Sequence, residues 1–257
     1  MISFDGQTFL VTGASRGIGA AAASILLKAG ANVVGSYATS PGALAVLAEE
    51  FGSDRIVAVQ ADLGENDAGF RLWNEAMDFK GNIDGLVNNA GIMPSTAHDT
   101  DNQTWTADWA NVMAVNVQAV ADLCKAAIMH FETMRRQNDT ATGRIITVAS
   151  RAAFRGDSSD AIHYAASKGA VVAMMRSIAR AFAKDGIYAY LIAPGWVKTD
   201  MAAVAYEPGN EHMLKEIPIG DAAPPEEIGN MIAFLLSGLI DHATGATFDI
   251  NGASYVR

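Results

Sequence analysis

Tyr164-Ala165-Ala166-Ser167-Lys168 sets a phenol and an ammonium four residues apart, so both project from one face of any helix that contains them. A free phenol, with a pKa near ~10, exchanges protons poorly at neutral pH, and an adjacent cation lowers that value. The pair is therefore a candidate for general acid–base chemistry. The same spacing also arises where a half-buried tyrosine merely lies beside a solvated lysine, so its meaning depends on the elements around it.

A second stretch suited to chemistry is Gly13-Ala14-Ser15-Arg16-Gly17-Ile18-Gly19. It follows a short apolar run, Gln7 to Thr12, and precedes an alanine-rich, helix-forming segment that reaches Ala29 and stops at Gly30. A strand, glycine turn and helix in that order let the backbone approach a pyrophosphate closely. The helix start offers it unpaired N–H groups and a partial positive charge. The alternative is a tight turn without a ligand. The density of glycine favours the phosphate cradle, although the spacing differs from the commoner G-x-G-x-x-G fingerprint.

The rest of the chain must position these two stretches. Asn32 to Gly35 and Arg55 to Gln60 predict a second and third strand, and Ile83 to Val87 a fourth that runs into Asn88-Asn89-Ala90-Gly91. Ser40-Pro41 predicts a capped helix start with proline at the first helical position, ending at Gly52. Trp105 to Arg136 reads as one long helix with an apolar stripe of Trp109, Val112, Met113, Val117 and Val120. Asn116 lies on that stripe, as either a satisfied core amide or part of a site. Arg144 to Ala149 is a fifth strand ending at Ser150, and Ile187 to Ile192 a sixth, broken by Pro194-Gly195. The helix carrying Tyr164 and Lys168 runs to Ala183 and holds the small residues Ala165, Ala166, Gly169, Ala170 and Ala173. Trp196 to Ala223 is long for a connection and is a candidate lid. Pro224 and Pro225 open a helix to Leu236, and Thr247 to Ile250 is a last strand. Strands alternating with helices imply a parallel sheet covered on both faces, with ligands outside the carboxyl ends of the strands. Asp62, the glycine turn, the Asn88 to Gly91 loop and Ser150 all fall at that edge.

Composition bounds the partners. The chain has 257 residues, of which 50% are apolar, and no linker, repeat or charge run marks a boundary, so one domain spanning 1–257 is expected. A net charge of −10 disfavours nucleic acid and anionic membrane surfaces as partners. A single cysteine, Cys124, allows no internal disulfide, and Met1-Ile2-Ser3-Phe4-Asp5 lacks the features of a secretory signal. No uninterrupted apolar run approaches the ~18 residues of a membrane span, so a cytoplasmic protein is expected. The histidines show no metal-ligand spacing, and no metal site is expected.

With these residues in view, the chain resembles the classical short-chain dehydrogenases/reductases over essentially its whole length. The likeness is carried, in order, by Thr12 to Gly19, Asn88-Asn89-Ala90-Gly91, Asn116, Ser150 with Tyr164-x-x-x-Lys168, and Pro194-Gly195. One departure is that Ser150 to Tyr164 is a residue longer than the family's commonest spacing, which bears on the shape of the intervening loop. The resemblance implies an α/β fold with a single Rossmann-like, doubly wound parallel sheet of about seven strands. It makes Tyr164 the acid that protonates a carbonyl oxygen, and the base in reverse. Lys168 would tune that phenol and hold the nicotinamide ribose, Ser150 would bond the reacting oxygen, and Asn116 would support a water for proton exchange. Cofactor contacts would come from Gly13, Ser15, Arg16, Gly17, Ile18 and Gly19, from Tyr37, Asp62 and Leu63, from Asn89, Ala90 and Gly91, and from Pro194, Gly195, Val197 and Thr199. Asp62 would meet the adenine, Val197 and Thr199 the carboxamide. A homotetramer built through the helices of Asn116 and Tyr164 is also implied.

Sites that select NAD place an acid at the end of the second strand. That position falls at Tyr37, and Ser36-Tyr37-Ala38-Thr39-Ser40 holds no acid, while Arg16 supplies a cation for a 2′-phosphate. NADP(H) is therefore favoured over NAD(H). The expected substrate wall, Ile92, Met93, Arg151, Phe154, Trp196, Met201 and the lid, is mostly apolar and suits a small-molecule ketone, with 3-oxoacyl thioesters suggested by analogy. Arg151 could read an anionic substrate, or be a surface arginine. Two other functions are an NAD-dependent dehydrogenase of a sugar, polyol or sterol-like alcohol, and a non-catalytic dinucleotide-binding regulator.

Overall fold

In the computed structural model, which describes residues 2–257 apart from the side chains of Val204 and Glu211, seven strands form one sheet of order β3-β2-β1-β4-β5-β6-β7. The strands are β1 (Thr8–Val11), β2 (Asn32–Tyr37), β3 (Ile56–Gln60), β4 (Gly85–Asn88), β5 (Gly143–Val148), β6 (Ile187–Pro194) and β7 (Thr247–Ile250). Every pair is parallel. The central strands read as near-continuous Val, Ile and Leu because both faces are covered, as parallel sheets require. On one face, α1 (Gly17–Lys28), α2 (Ala43–Phe51) and α9 (Pro225–Leu236) bury Leu26, Leu44 and Ile232 against Val33 and Val87. On the other, α3 (Ala68–Lys80), α5 (Ala119–Gln137) and α7 (Ile162–Phe182) bury Leu72, Leu123 and Met175 against Leu86 and Ile145.

The strand order reverses between β1 and β4, which opens a crevice at their carboxyl ends. The predicted strands and α9 sit where the sequence places them, to within a residue or two at most ends, with Pro225 in the first helical turn.

Two helix predictions need correction. The predicted cap at Ser40 is not used: α2 starts at Ala43 after Gly42, whose φ of +48° only glycine adopts freely, and no side chain caps it. The Ala43 N–H instead donates to the Ser15 carbonyl at 2.8 Å, which ties α2 to the glycine turn. The long helix is α4 (Asn102–Met113) and α5 joined by a π-helical turn, Ala114–Gln118. That turn carries an extra residue, so a regular 3.6-residue stripe loses phase there. Val115 and Asn116 become the buried pair, and Met113 and Val117 turn partly outward. Among the described residues, the run Asn102–Gln137 is long and apolar enough by length and composition to cross a membrane, which the interrupted sequence does not reveal. Its buried side, including Val112, Leu123, Cys124 and Phe131, packs inside the protein.

Candidate active site

The glycine turn is built to admit something close to its backbone. Gly13 and Gly17 have φ of +64° and +55°. A Cβ on Gly17 would lie 2.9 Å from the Thr199 methyl, and one on Gly19 would strike the Gly13 carbonyl and lie 2.6 Å from Asn89 Nδ2. Arg16 occupies the N-cap position of α1 without a side-chain cap, and the first turn has no acid, so the helix start keeps its N–H groups for an anion. These features fit a dinucleotide pyrophosphate.

Thr12 and Ser36, which the sequence does not mark as site residues, hold the turn together with Asn89. Thr12 Oγ1 accepts from the backbone N–H of Asn89 and of Ala90, both at 3.0 Å. Asn89 Nδ2 donates to the carbonyls of Thr12 at 2.9 Å and Gly13 at 3.1 Å. Buried Ser36 accepts from the Gly13 N–H through its hydroxyl at 3.3 Å and from the Ala14 N–H through its carbonyl at 2.8 Å. Asn88 faces away, donating to Thr147 and Cys124. Ser15 serves through its carbonyl to α2, and Ile18 packs partly into the core beneath.

Farther along the edge, Tyr37 ends β2 and its carbonyl accepts from the Ala61 N–H at 2.8 Å. A groove lined by Ala38, Gln60, Asp62 and Leu72 opens beside it. Asp62 is exposed and accepts from the Gly64 N–H at 2.9 Å, whereas the Leu63 side chain is in the core at 7% exposure and leaves only its backbone for a ligand. The exposed Arg16 guanidinium is not free: Nη1 donates to Asp200, at the start of the lid, at 3.0 Å.

At the other end of the crevice, β5 and α7 bring Ser150, Tyr164 and Lys168 together. Lys168 Nζ donates to the Val148 carbonyl at 2.8 Å and sits over the Tyr164 ring, 5.7 Å from its centroid. Ser150 accepts from the Ala152 N–H at 3.1 Å, and its hydroxyl also engages the phenol. The expected lowering of the Tyr164 pKa is not what the geometry gives. Burial pushes the phenol up to about 12, with the Ser150 hydroxyl opposing the rise and the Asp157 carboxylate adding to it. Burial likewise pulls Lys168 down to about 8. At neutral pH the pair is thus a phenol, ready to give a proton, under a weakened ammonium.

Asn116 is a satisfied amide, tied to the loop after β4 and to α7. Its Oδ1 accepts from the Ile92 N–H at 2.9 Å, and its Nδ2 donates to the Ile92 carbonyl at 2.9 Å and to Ser167 Oγ at 3.1 Å. Ser167, absent from the predicted list, donates in turn to the Tyr164 carbonyl at 2.7 Å. The π turn thus pins the Gly91-Ile92 loop to the catalytic helix. A Cβ on Gly91 would lie 3.3 Å from Asn116 Oδ1 and 3.4 Å from Lys168 Nζ.

The β6 end completes the edge. Gly195 N–H donates to the Ile250 carbonyl at 2.9 Å, and a Cβ there would press on Asn251 at 2.9 Å. Val197 is buried and bridges Ala223, so the two ends of the lid meet. Lys198 and Tyr206 both bond Asp221, closing it further. Of the predicted substrate wall, Met93 packs beside Tyr164, Phe154 is partly buried, and Met201 is exposed. Arg151 is no surface residue, at 5% exposure.

A glycine turn open to a pyrophosphate and a phenol–ammonium pair on one edge of a parallel sheet define a dinucleotide-dependent oxidoreductase. A family model described as enoyl-(acyl carrier protein) reductase matches residues 13–253. The 3-oxoacyl-[acyl-carrier-protein] reductase FabG of Escherichia coli is 34% identical, the match covering 99% of this chain and 100% of that one. A short-chain dehydrogenase from Burkholderia cenocepacia, solved in complex with NADP, is 29% identical with a TM-score of 0.85, covering 97% of this chain and 98% of that one. A putative 2-deoxy-D-gluconate 3-dehydrogenase from Agrobacterium tumefaciens, with bound NADP, is 28% identical with a TM-score of 0.87 over 99% and 98%. This chain belongs to the short-chain dehydrogenase/reductase family.

Proposed function

We propose that this chain is an NADP(H)-dependent carbonyl reductase, acting on a 3-oxoacyl thioester or a similar ketone and using one domain for cofactor and chemistry. The observation that carries the reading is the juxtaposition of Ser150, Tyr164 and Lys168 at the open end of the crevice. The relatives fit it, being a 3-oxoacyl thioester reductase and dehydrogenases with NADP bound.

The glycine turn and the start of α1 would hold the pyrophosphate, Asp62 and the Leu63 backbone the adenine, and Lys168 with Pro194, Gly195, Val197 and Thr199 the nicotinamide half. Nicotinamide, when bound, supplies or accepts the hydride. Tyr164 then gives its proton to the carbonyl oxygen as charge develops there, and Ser150 donates a second hydrogen bond to the same oxygen. Lys168 restores the Tyr164 proton. Asn116 spends its side chain on Ile92 and Ser167, so a relay water would rest on main-chain groups that the π turn opens. Carbonyl-dependent oxidation of NADPH, with the alcohol product identified, tests the assignment.

The 2′-phosphate falls to Arg16, with no acid at the end of β2. Asp200 must yield the guanidinium. An exposed ion pair contributes about 0–1 kcal/mol, less than the roughly 1.5–3 kcal/mol of a charged hydrogen bond, so the phosphate displaces it. Arg16→Ala is expected to weaken NADPH binding by roughly 1.5–3 kcal/mol and to leave NADH nearly unchanged. Equal losses in a titration of both cofactors would contradict this, and would favour the NAD-linked alternative.

The assembly is proposed to be a homotetramer in the cytoplasm. The small residues of α7 support it: Ala166 and Ala173 are exposed and Gly169 and Ala170 half-buried, while Val171, Val172 and Met175 face the sheet. The exposed ones among them support a contact with a partner helix. Ala173→Arg would bury an unpaired charge between subunits and is expected to split the assembly. Light scattering that gives a monomer mass for the unmodified protein would refute the tetramer.

A further inference from the structure

Arg151 is the residue whose surroundings the reaction above does not explain. It directly follows Ser150, and its backbone N–H donates to the Pro194 carbonyl at 2.9 Å, which anchors it between the ends of β5 and β6. The side chain is 5% exposed, and its guanidinium lies over Trp196, the first residue of the lid, with Cζ 5.9 Å from the ring centroid. Stacking holds the fork in place without using its N–H groups. Nη1 is buried and has no hydrogen-bond partner.

Among the described side chains, no carboxylate is placed to supply one. The nearby charges that act on Arg151 are Arg155, Glu216 and Asp157. Glu216 pairs with Arg155 at 3.9 Å, and Asp157 is exposed and accepts from the Ser158 N–H. Arg257, across Phe154, is bound to Asp249. A buried guanidinium N–H without an acceptor is costly, and a protein keeps such a group where a ligand completes it. The reaction centre adjoins it in the chain: Arg151 directly follows Ser150 and is held at the same carboxyl edge by its bond to Pro194.

We propose that Arg151 selects substrates bearing a carboxylate close to the reacting carbonyl, that is, oxo acids rather than neutral ketones or esters. The proposal rests on the carbonyl-reductase reading of the same site and narrows it to the ketone branch, because a 3-oxoacyl thioester carries no free carboxylate beside its carbonyl. The substrate is gripped at two points, its carbonyl oxygen by Ser150 and Tyr164 and its carboxylate by Arg151, whose planar fork matches that group. In the reduction, the carbonyl carbon receives hydride from NADPH, which is oxidised to NADP+, and the oxygen receives the Tyr164 proton. The carboxylate is unchanged. The glycine turn lies at the β1 end of the crevice, so the cofactor phosphates do not compete for Arg151.

The test compares kcat/KM for 3-oxobutanoate and longer oxo acids with that for their methyl esters, in the wild type, Arg151→Met and Arg151→Lys. The wild type is expected to prefer an acid over its ester, and Arg151→Met to lower that acid-to-ester ratio by roughly 10- to 100-fold, the loss of one or two charged hydrogen bonds. Arg151→Lys should restore part of it. Thermal unfolding of Arg151→Met should match or exceed the wild type, because the variant removes a buried unpaired charge. A wild-type preference for esters or phosphorylated ketones, or a ratio unmoved in Arg151→Met, overturns the proposal while leaving carbonyl reduction standing. Absence of any NADPH oxidation by the wild type removes the reductase reading, and this proposal with it.

Discussion

Tyr164→Phe is expected to fold, to bind cofactor and to lose roughly 10²–10⁴-fold in kcat, the contribution usual for a positioned acid. The substitution keeps the ring, which packs with Ala152 and Ala161, and removes only the hydroxyl. No other described group stands ready to replace it. Ser150 holds its hydrogen bond through the same oxygen and, at neutral pH, is a far weaker acid than a phenol. Lys168 is held by the Val148 carbonyl at 2.8 Å. Retention of more than about a tenth of the wild-type rate on a confirmed substrate would remove Tyr164 from its role, since even the low end of the range is larger.

Lys168→Met is expected to lower kcat by about 10²-fold or more, because it removes the group that resupplies the Tyr164 proton. It also makes a stability prediction with a definite sign. The folded Lys168 titrates at about 8, below its ordinary value of 10.5. Burial therefore penalises the ammonium, and the penalty is fully present below pH 8. It fades as pH rises from 8 to 10.5, where the unfolded chain still binds the proton and the folded chain has released it. Wild-type stability relative to Lys168→Met should thus be flat below pH 8 and rise through that window. The Val148 carbonyl left unpaired in the variant shifts the whole curve and not its slope. Carbonyl reduction by the wild type should fall above pH 8 as the relay loses its charge. Urea denaturation of both proteins across this range gives the answer; a pH-independent difference would mean that Lys168 is not perturbed.

Much of the architecture is legible in the chain because its strands are short Val, Ile and Leu runs bounded by glycine or polar residues, and because Pro225 and Gly52 mark helix ends by fixed backbone rules. That Tyr164 and Lys168 share one helix face follows from their four-residue spacing, whereas their meeting with Ser150 comes from the packing of α7 against the end of β5. What the sequence conceals depends on three dimensions. The π turn at Ala114–Gln118 has no residue signature, yet it brings Asn116 onto Ile92 and shifts the apolar stripe of α4. Ser36 and Ser167 look like ordinary polar residues, and only the packing of β2 on the glycine turn and of α7 on the π turn gives them partners. Thr12 stands in the quoted motif, but its clamp on Asn89 and Ala90 comes from strand pairing. The direction of the Tyr164 pKa could not be read from the proximity of Lys168, because burial outweighs separation along the helix. Arg151 shows the same limit, since an arginine after a strand end is ordinarily solvated and the lid is what covers this one.

Hydride transfer to a carbonyl is the claim on which every residue role here depends. It is tested most directly by incubating the protein with NADPH deuterated at the transferable position and a panel of ketones, oxo acids and acyl thioesters, and locating the label by mass spectrometry. One deuterium is expected on the new carbinol carbon of at least one compound, with roughly 10²–10⁴-fold less label formed per unit time by Tyr164→Phe. Cofactor that binds without label reaching any product, or label transfer undiminished in Tyr164→Phe, would contradict it.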